Sequence, residues 1–304
     1  MQHIKTSDTK KIKTLFKDFN LPKPNSHKGQ NGKVLIIGGS SLFHAASIWA
    51  AEVASHFVDI VHYSSTKENN EIITSMKKKF INGIVIPHKE LEHYVKEDNA
   101  VLVGPGMMRT KKYPVSSIQY SVLRDLEGIK DEGEYTYQLT KYLIKSYPDK
   151  KFVFDAGSLQ MMDPEWLKLL ETPAIITPHQ IEFEQLFGIN LHNLPVKEKA
   201  EHIQETAEKY HVTILLKAIV DIISDGGETY IIEGGNAGLT KGGTGDVLGG
   251  LCVSFFAKES SLQSALYASI LLKRTADRLF KTKGYWYNID NIIEEIPHEF
   301  KSII

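Results

Sequence analysis

The sequence predicts an α/β protein with a mainly parallel central sheet covered on both faces by helices. Three observations carry that expectation. Apolar runs such as Val34-Leu35-Ile36-Ile37 and Ala100-Val101-Leu102-Val103 are continuous rather than alternating, as strands buried on both faces require. Each run closes on glycine, at Gly38-Gly39 and at Gly104-Pro105-Gly106, where the chain can turn. Helix-patterned stretches separate the runs, so strand and helix alternate along most of the chain.

In order, residues 1 to 30 read as a short tail or helix followed by a surface connection, because the prolines and glycines of LPKPNSHKGQNG interrupt any regular element. A single domain is expected from residue 31 to 304. After the strand ending at Ile37, Ala45 to Phe57 has small and apolar residues at helical spacing. The Gly38-Gly39-Ser40-Ser41 turn between them is either a plain connection or a backbone anion site at a strand's carboxyl end. Ile60 to Ser64 is a strand and Glu71 to Phe80 a helix, with Lys77-Lys78-Lys79 as its solvated end. Ile84-Val85-Ile86 is a short strand and Lys89 to Lys96 a helix. Met107 to Gly133 is polar and reads as a solvated insertion. Glu134 to Ser146 is helical, and Lys151 to Asp155 is a strand whose terminal acid points into the crevice where such folds bind ligands.

Ala174 to Thr177 is a further strand, and Pro178 suits the first position of the helix that follows. His179 and Glu182 are three residues apart and share one side of that helix start. Either they face a ligand, His179 as donor and Glu182 reaching phosphate-bound metal through water, or Glu182 balances the helix dipole and His179 is a surface residue. Val196 to Tyr210 is an amphipathic helix, and Thr213 to Leu216 a strand delivering Lys217 at its end, as a phosphate contact or a surface lysine. Val220 to Ser224 and Thr229 to Ile232 form a hairpin through Asp225-Gly226-Gly227. Ser261 to Phe280 is a long helix, and the remaining residues add a short helical segment at most.

The stretch NAGLTKGGTGDVLGG, Asn236 to Gly250, is the densest functional signal. Gly242, Gly243 and Gly245 let backbone approach a ligand, and the apolar run from Val247 to Ala257 supplies a buried helix whose free N–H groups and dipole favour an anion. Asp246, in the first turn of that helix, puts a carboxylate where it could take a hydroxyl proton during phosphoryl transfer. The alternative is a tight turn in which Thr244 or Asp246 merely caps the helix. The stretch is neither a Walker A loop nor the dinucleotide fingerprint.

Composition narrows the classes further. With 36 Lys and Arg against 37 Asp and Glu, there is no basic excess to bind nucleic acid. The single cysteine, Cys252, precludes an internal disulfide framework and reads as a small core residue. No apolar run approaches the roughly 18 residues of a membrane helix, and the polar N-terminus has no signal-peptide core, so the expected location is cytoplasmic.

Taken together, these landmarks resemble the ADP- or ATP-dependent NAD(P)H-hydrate dehydratases, relatives of ribokinase. Residues 235–250, GNAGLTKGGTGDVLGG, are similar to the family's GNPGMATGGTGDVLTG. GKVLIIGGSSLFHAAS, VLVGPGM, FDAGSL and TPHQIEFEQLFG match, in order, the opening strand and turn, the GPGL turn, the DADAL strand end and the TPHPGEFARLLG segment. The resemblance spans roughly residues 30 to 280. It implies a ribokinase-like three-layer α/β/α sandwich. It also implies an enzyme that uses ADP or ATP, with Mg²⁺, to phosphorylate the C6 hydroxyl of hydrated NADH or NADPH; loss of phosphate then restores the reduced nicotinamide.

By the same resemblance Asp246 is the catalytic base, and Gly243, Thr244 and Gly245 hold the transferring phosphoryl group. Ala46, Gly106, His179 and Asp246 contact the hydrate, and Lys217, Ala218, Ile219, Val220, Asp221 and Gly245 contact the nucleotide. Glu182 matches the glutamate near the metal and phosphates, and a homo-oligomer, with a tetramer as the suggested form, is implied. The nucleotide segment departs from the family's KGxxT: Ala218 replaces the glycine and Asp221 the threonine, adding a negative charge beside the nucleotide. The rival readings are an alcohol kinase of the same fold acting on a sugar, vitamin or thiazole, and a nucleotide-binding paralogue without turnover.

Overall fold

The computed structural model describes residues 1–75, 82–110 and 123–304. Among the described residues ten strands form one sheet in the order β1-β10-β9-β8-β7-β6-β5-β2-β3-β4. These are β1 (Gln2–Lys5), β2 (Lys33–Ile37), β3 (Ile60–Ser64), β4 (Ile84–Val85), β5 (Ala100–Val103), β6 (Lys151–Phe154), β7 (Ile175–Ile176), β8 (Thr213–Leu216), β9 (Val220–Ser224) and β10 (Thr229–Glu233). Only β9 runs against its neighbours; every other pairing is parallel.

The helices divide between the two faces, giving the three-layer sandwich. One face carries α1 (Thr9–Phe16), α2 (Ala45–Ala54), α3 (Lys67–Ser75), α9 (Thr244–Phe256), α10 (Ser261–Lys283) and α11 (Ile289–Ile303), whose apolar residues merge into one core with Val34, Ile36, Leu102 and Val153. The other carries α4 (Leu91–Glu97), α5 (Glu132–Ser146), α6 (Gly157–Met161), α7 (Gln180–Phe187) and α8 (Val196–Tyr210), packed on Leu35, Val101, Phe152 and Phe154. Successive residues of each central strand therefore feed opposite cores, which is why those strands read as unbroken apolar runs.

The chain order reverses between β2 and β5. In a doubly wound sheet the loops at such a point diverge to opposite faces and leave a crevice at the carboxyl edge. Here those loops are tied by backbone: Gly104 N–H donates to Ile37 O at 3.0 Å and Gly39 N–H to Pro105 O at 2.7 Å. Gly106 needs its glycine. Its φ is +71°, and a Cβ there would sit 2.9 Å from Phe43 O and 3.1 Å from the Ala46 Cβ.

Both chain ends differ from expectation. Residues 1 to 30 hold the expected short helix, α1, and an irregular connection, but not a tail: β1 extends the sheet in parallel beside β10, and Ile12 and Phe16 of α1 are buried in the core. An edge strand is held by main-chain pairing, and only Ile4 of β1 turns inward, so hydropathy hardly registers it. The C-terminal segment is a full helix of 15 residues rather than a short piece. Pro297 lies inside it and disguises it, yet Ile289, Ile292, Ile293, Ile296, Phe300 and Ile303 bury one face and an Asn288–Asn291 capping box starts it. The helix read as 71–80 spans Lys67–Ser75 as far as it is described. Its lysine end and residues 111–122 of the polar insertion lie outside the described residues. Leu123 and Leu126, at that insertion's far side, are buried.

Candidate active site

Three strand ends deliver the charged centre. Asp155 follows β6, His179 follows β7 and Lys217 follows β8, all on the carboxyl edge. His179 and Lys217 pair as an isolated parallel bridge, and Lys217 N–H donates to Pro178 O at 2.9 Å, so main-chain contacts fix their register. The Lys217 ammonium donates to Asp155 Oδ1 at 2.7 Å and lies 3.9 Å from Glu182 Oε2. Asp155 and Glu182 are buried. Such carboxylates are tolerable only when paired, so the lysine between them holds the cluster together. Burial would lower the Lys217 pKa, but the two carboxylates outweigh it and hold the ammonium above its ordinary range.

The glycine-rich stretch presents α9 to this cluster. Gly243 is the N-cap at φ +103°, crowded by Trp49 and Ile289, and any Cβ there would come within 2.7 Å of both. Val247 N–H donates to Gly243 O, while among the described residues no backbone carbonyl accepts from the N–H groups of Gly245 and Asp246. The Gly245 N–H is a free donor of the helix start, while the Asp246 N–H turns to its own carboxylate, and the space above Gly245 leads directly to Lys217, whose Nζ would lie 3.5 Å from a Cβ placed there. Thr244 does not face this space with its hydroxyl, which donates to Leu239 O and Lys241 O and so closes the loop.

Asp246 is half-buried, and its pKa is pushed up to about 7, first by burial and then by the Asp155 charge, with Lys217 opposing. A carboxylate poised there can exchange a proton near neutral pH.

The structure resolves the two readings of His179 and Glu182 into a capping box. Glu182 N–H donates to His179 Nδ1 at 3.1 Å and His179 N–H to Glu182 Oε2 at 2.9 Å. The helix therefore starts at Gln180, two residues later than its proline suggests, with His179 as N-cap. Glu182 faces the cluster while the His179 ring stays half-exposed. Gln160 adds a link: its Nε2 donates to Glu182 Oε1 at 2.9 Å, and its Oε1 accepts from Arg109 at 3.3 Å. Ala156, beside Asp155, carries a strained φ of +45°.

Ala46 and Gly106 pack against each other at the mouth of the β2–β5 crevice. One turn along α2 from Ala46, Trp49 touches Gly243, so this helix joins the crevice to the cradle. Behind it lies an uncharged network: Ser47 Oγ pairs with Tyr63 OH at 2.7 Å, and Asn69 bridges Tyr63, Ser65 and His44.

The 217–221 segment borders a cavity of about 450 Å³, lined also by Gly234, Asn236, Leu239, Thr244, Gly245, Leu248 and Leu272. Lys217, Ala218, Ile219 and Asp221 line it. Val220 instead packs on the apolar core of the opposite face, as alternation along β9 requires. Asp221 does not present a bare negative charge: its Oδ1 accepts from Ala218 N at 2.9 Å, its Oδ2 from Ser269 Oγ at 2.7 Å, and Lys273 Nζ lies 3.4 Å away. Burial raises the Asp221 pKa and Lys273 pulls it back. Asp155 was legible as a crevice acid; Gln160 lies just past the FDAGSL match, and Lys273 and Asp277 belong to a helix that carries no motif, so no sequence signal marks them.

No described helix is long and apolar enough to cross a membrane. Cys252 is buried in α9 and its thiol is pushed up by burial, consistent with a core residue.

The sheet order and the cradle at its carboxyl edge define a ribokinase-like α/β protein. More narrowly, the model of the NAD(P)H-hydrate dehydratase family matches residues 34–298, and the chain belongs to that family. It is 31% identical over 290 residues to the ADP-dependent (S)-NAD(P)H-hydrate dehydratase of Nitrosopumilus maritimus, covering 92% of each chain. It is 35% identical over 277 residues to the bifunctional NAD(P)H-hydrate repair enzyme of Methanocaldococcus jannaschii, aligning 91% of this chain but spanning only 50% of that relative. In fold it is similar to the ADP/ATP-dependent NAD(P)H-hydrate dehydratase of Bacillus subtilis co-crystallized with ATP and Mg²⁺, with a TM-score of 0.76, 21% identity and 97% of each chain covered.

Proposed function

We propose that this protein uses an adenine nucleotide to dehydrate hydrated NADH or NADPH, with Asp246 as base. The single observation that carries this reading is the placement of Asp246 in the first turn of α9, between the free Gly245 N–H and the Asp155–Lys217–Glu182 cluster. An ionised Asp246 takes the proton of the hydrate's C6 hydroxyl as that oxygen attacks the terminal phosphorus of the nucleotide. The N–H of Gly245 and the Lys217 ammonium face the charge that builds on the phosphoryl oxygens. The C6–O bond then breaks with the ring nitrogen's lone pair pushing and phosphate carries off the electron pair; the adjacent ring carbon then gives up a proton, and its C–H electrons form the ring double bond and return the lone pair to nitrogen, which restores the reduced nicotinamide.

The cavity beside residues 217–221 suits the nucleotide, with Ala218, Leu239, Leu248 and Leu272 as apolar walls for a base. Ala46 and Gly106, with the half-exposed His179 ring, suit the hydrate. Mg²⁺ fits as a phosphate-borne ion that neutralises phosphate charge. Among the described residues no cluster of three acidic, histidine or cysteine side chains forms a cage for it. Both Glu182 oxygens already accept a hydrogen bond, and each keeps a lone pair that would accept from a metal-bound water. An adenine-nucleotide substrate and a lone buried thiol favour a cytoplasmic location, and the resemblance favours a homo-oligomer, which light scattering on the purified chain would test.

The experiment supplies the hydrate, Mg²⁺ and either ADP or ATP, and follows the reduced-nicotinamide absorbance together with nucleotide products. Recovery of the band with one AMP per ADP, or one ADP per ATP, is the expected result and identifies the donor. A stable phosphorylated alcohol product instead would make the protein a kinase; nucleotide binding with no turnover would make it a non-catalytic paralogue.

A further inference from the structure

The two backbone segments that wall the cavity beside Gly245 run on from β9 and β10, whose last antiparallel pair is Val220 with Glu233, and beyond that pair the ladder no longer sets their spacing. There they are joined by α10. Ser269, Lys273 and Asp277 recur every four residues and so form one stripe along that helix. Ser269 donates to Asp221 Oδ2 at 2.7 Å. The Lys273 ammonium donates to the carbonyls of Ile219 at 3.0 Å, Ala218 at 3.4 Å and Gly234 at 3.4 Å, and pairs with Asp221. Asp277 accepts from Gly235 N at 3.0 Å and from Asn236 Nδ2 at 3.3 Å. One wall, residues 218–221, and the other, residues 234–236, therefore hang from the same rigid helix.

Lys273 is the residue that touches both. It is buried, and its donors are spent on protein acceptors, so it is not a phosphate contact. Its aliphatic stem passes beneath Gly235, where a Cβ would lie 3.2 Å from the Lys273 Cγ. Asp221 completes the arrangement by neutralising the ammonium and holding Ala218 N–H from the same side. An acid at this position is thus a structural partner of α10 rather than a charge offered to the ligand.

We infer that Lys273 is a positioning residue that, with Asp221 and Asp277, fixes the separation of the two walls and thereby sets the affinity for the nucleotide. The inference rests on the reading of this cavity as the nucleotide site. A cavity held at its bound width costs less ordering energy on binding than one whose walls must be gathered. Truncating the lysine frees the walls without touching Asp246 or Lys217, so the loss falls on nucleotide binding and spares the transfer step.

The test is calorimetric titration of ADP and of ATP into the full-length wild-type protein, Lys273→Met, the double variant Asp221→Asn with Lys273→Met, and Asp277→Asn, paired with steady-state kinetics. The expected result is a nucleotide Kd and KM raised about tenfold or more in Lys273→Met, with kcat at saturating nucleotide and the KM for the hydrate within about twofold of wild type. The double variant, which leaves no unpaired buried charge, shows the same rise, and Asp277→Asn a smaller one. Variants that melt at lower temperature yet bind nucleotide as wild type does would overturn the inference and leave Lys273 a purely structural residue. If Lys273→Met does not fold, the double variant and Asp277→Asn decide on the same criterion. Wild-type protein that binds neither nucleotide would overturn the underlying site reading, a result distinct from variants that merely match a binding wild type.

Discussion

Two strand-to-helix junctions rich in glycine meet at this crevice, and they are built for different work. The one at α9 combines a glycine cradle with four ionisable side chains: Asp246, Asp155, Lys217 and Glu182. The one at α2 also carries glycines and a helix start, but its interior is Ser47, Tyr63, Asn69 and His44, hydrogen-bonded to one another, and the Glu132 carboxylate that reaches its turn is held at the exposed edge by the Ser41 N–H and hydroxyl. Burial pushes the Tyr63 phenol up to about 12, so it stays neutral. Similar backbone geometry therefore does not assign chemistry; the charge gathered around it does. Charge chemistry belongs at α9, and shape at α2.

The largest expected effect comes from removing the base. Asp246→Ala should lower kcat/KM about 10²- to 10⁴-fold while leaving nucleotide binding by calorimetry nearly unchanged. Turnover near the wild-type level would erase the distinction between the two junctions.

Next is Lys217→Met, which leaves Asp155 and Glu182 buried without their cation. Denaturant unfolding should register a loss of about 3 kcal/mol. The variant also sharpens the electrostatic claim, because losing a nearby positive charge disfavours the ionised form of Asp246 and moves the acid limb of the rate profile to higher pH. Asp155→Asn should do the reverse: with its negative charge gone, Asp246 ionises more easily and the limb moves to lower pH. Opposite shifts from these two variants are the signature of a coupled cluster; shifts in one direction would show that packing, not charge, is responsible. Smallest is Ser47→Ala, which should cost about 1 kcal/mol through the lost Tyr63 hydrogen bond and leave the limb where it is.

Much of the α9 junction was legible because its signals are local. Glycines, the acid after them and the apolar run behind lie within a few residues, and the strand ends bearing Asp155, His179 and Lys217 follow from unbroken apolar runs. What was not legible is whatever depends on packing between distant elements. β1 is an edge strand recognised only by its partner β10, and the proline of α11 hides a helix that the core demands. The charge of Asp221 stands alone in the sequence; its neutralising Lys273 comes 52 residues later, on a helix with no motif. Three-residue spacing allows two roles for the Glu182–His179 pair, and the fold uses Glu182 as cap and cluster member at once.

The most direct test of Asp246 as base is the pH dependence of kcat/KM for the hydrate at saturating nucleotide, measured from about pH 5 to about pH 9. Because the base works ionised and its pKa is pushed up to about 7, the rate should fall as pH drops through about 7, with Lys217→Met and Asp155→Asn displacing that inflection in opposite directions. A profile that is flat through neutrality in all three proteins would contradict it.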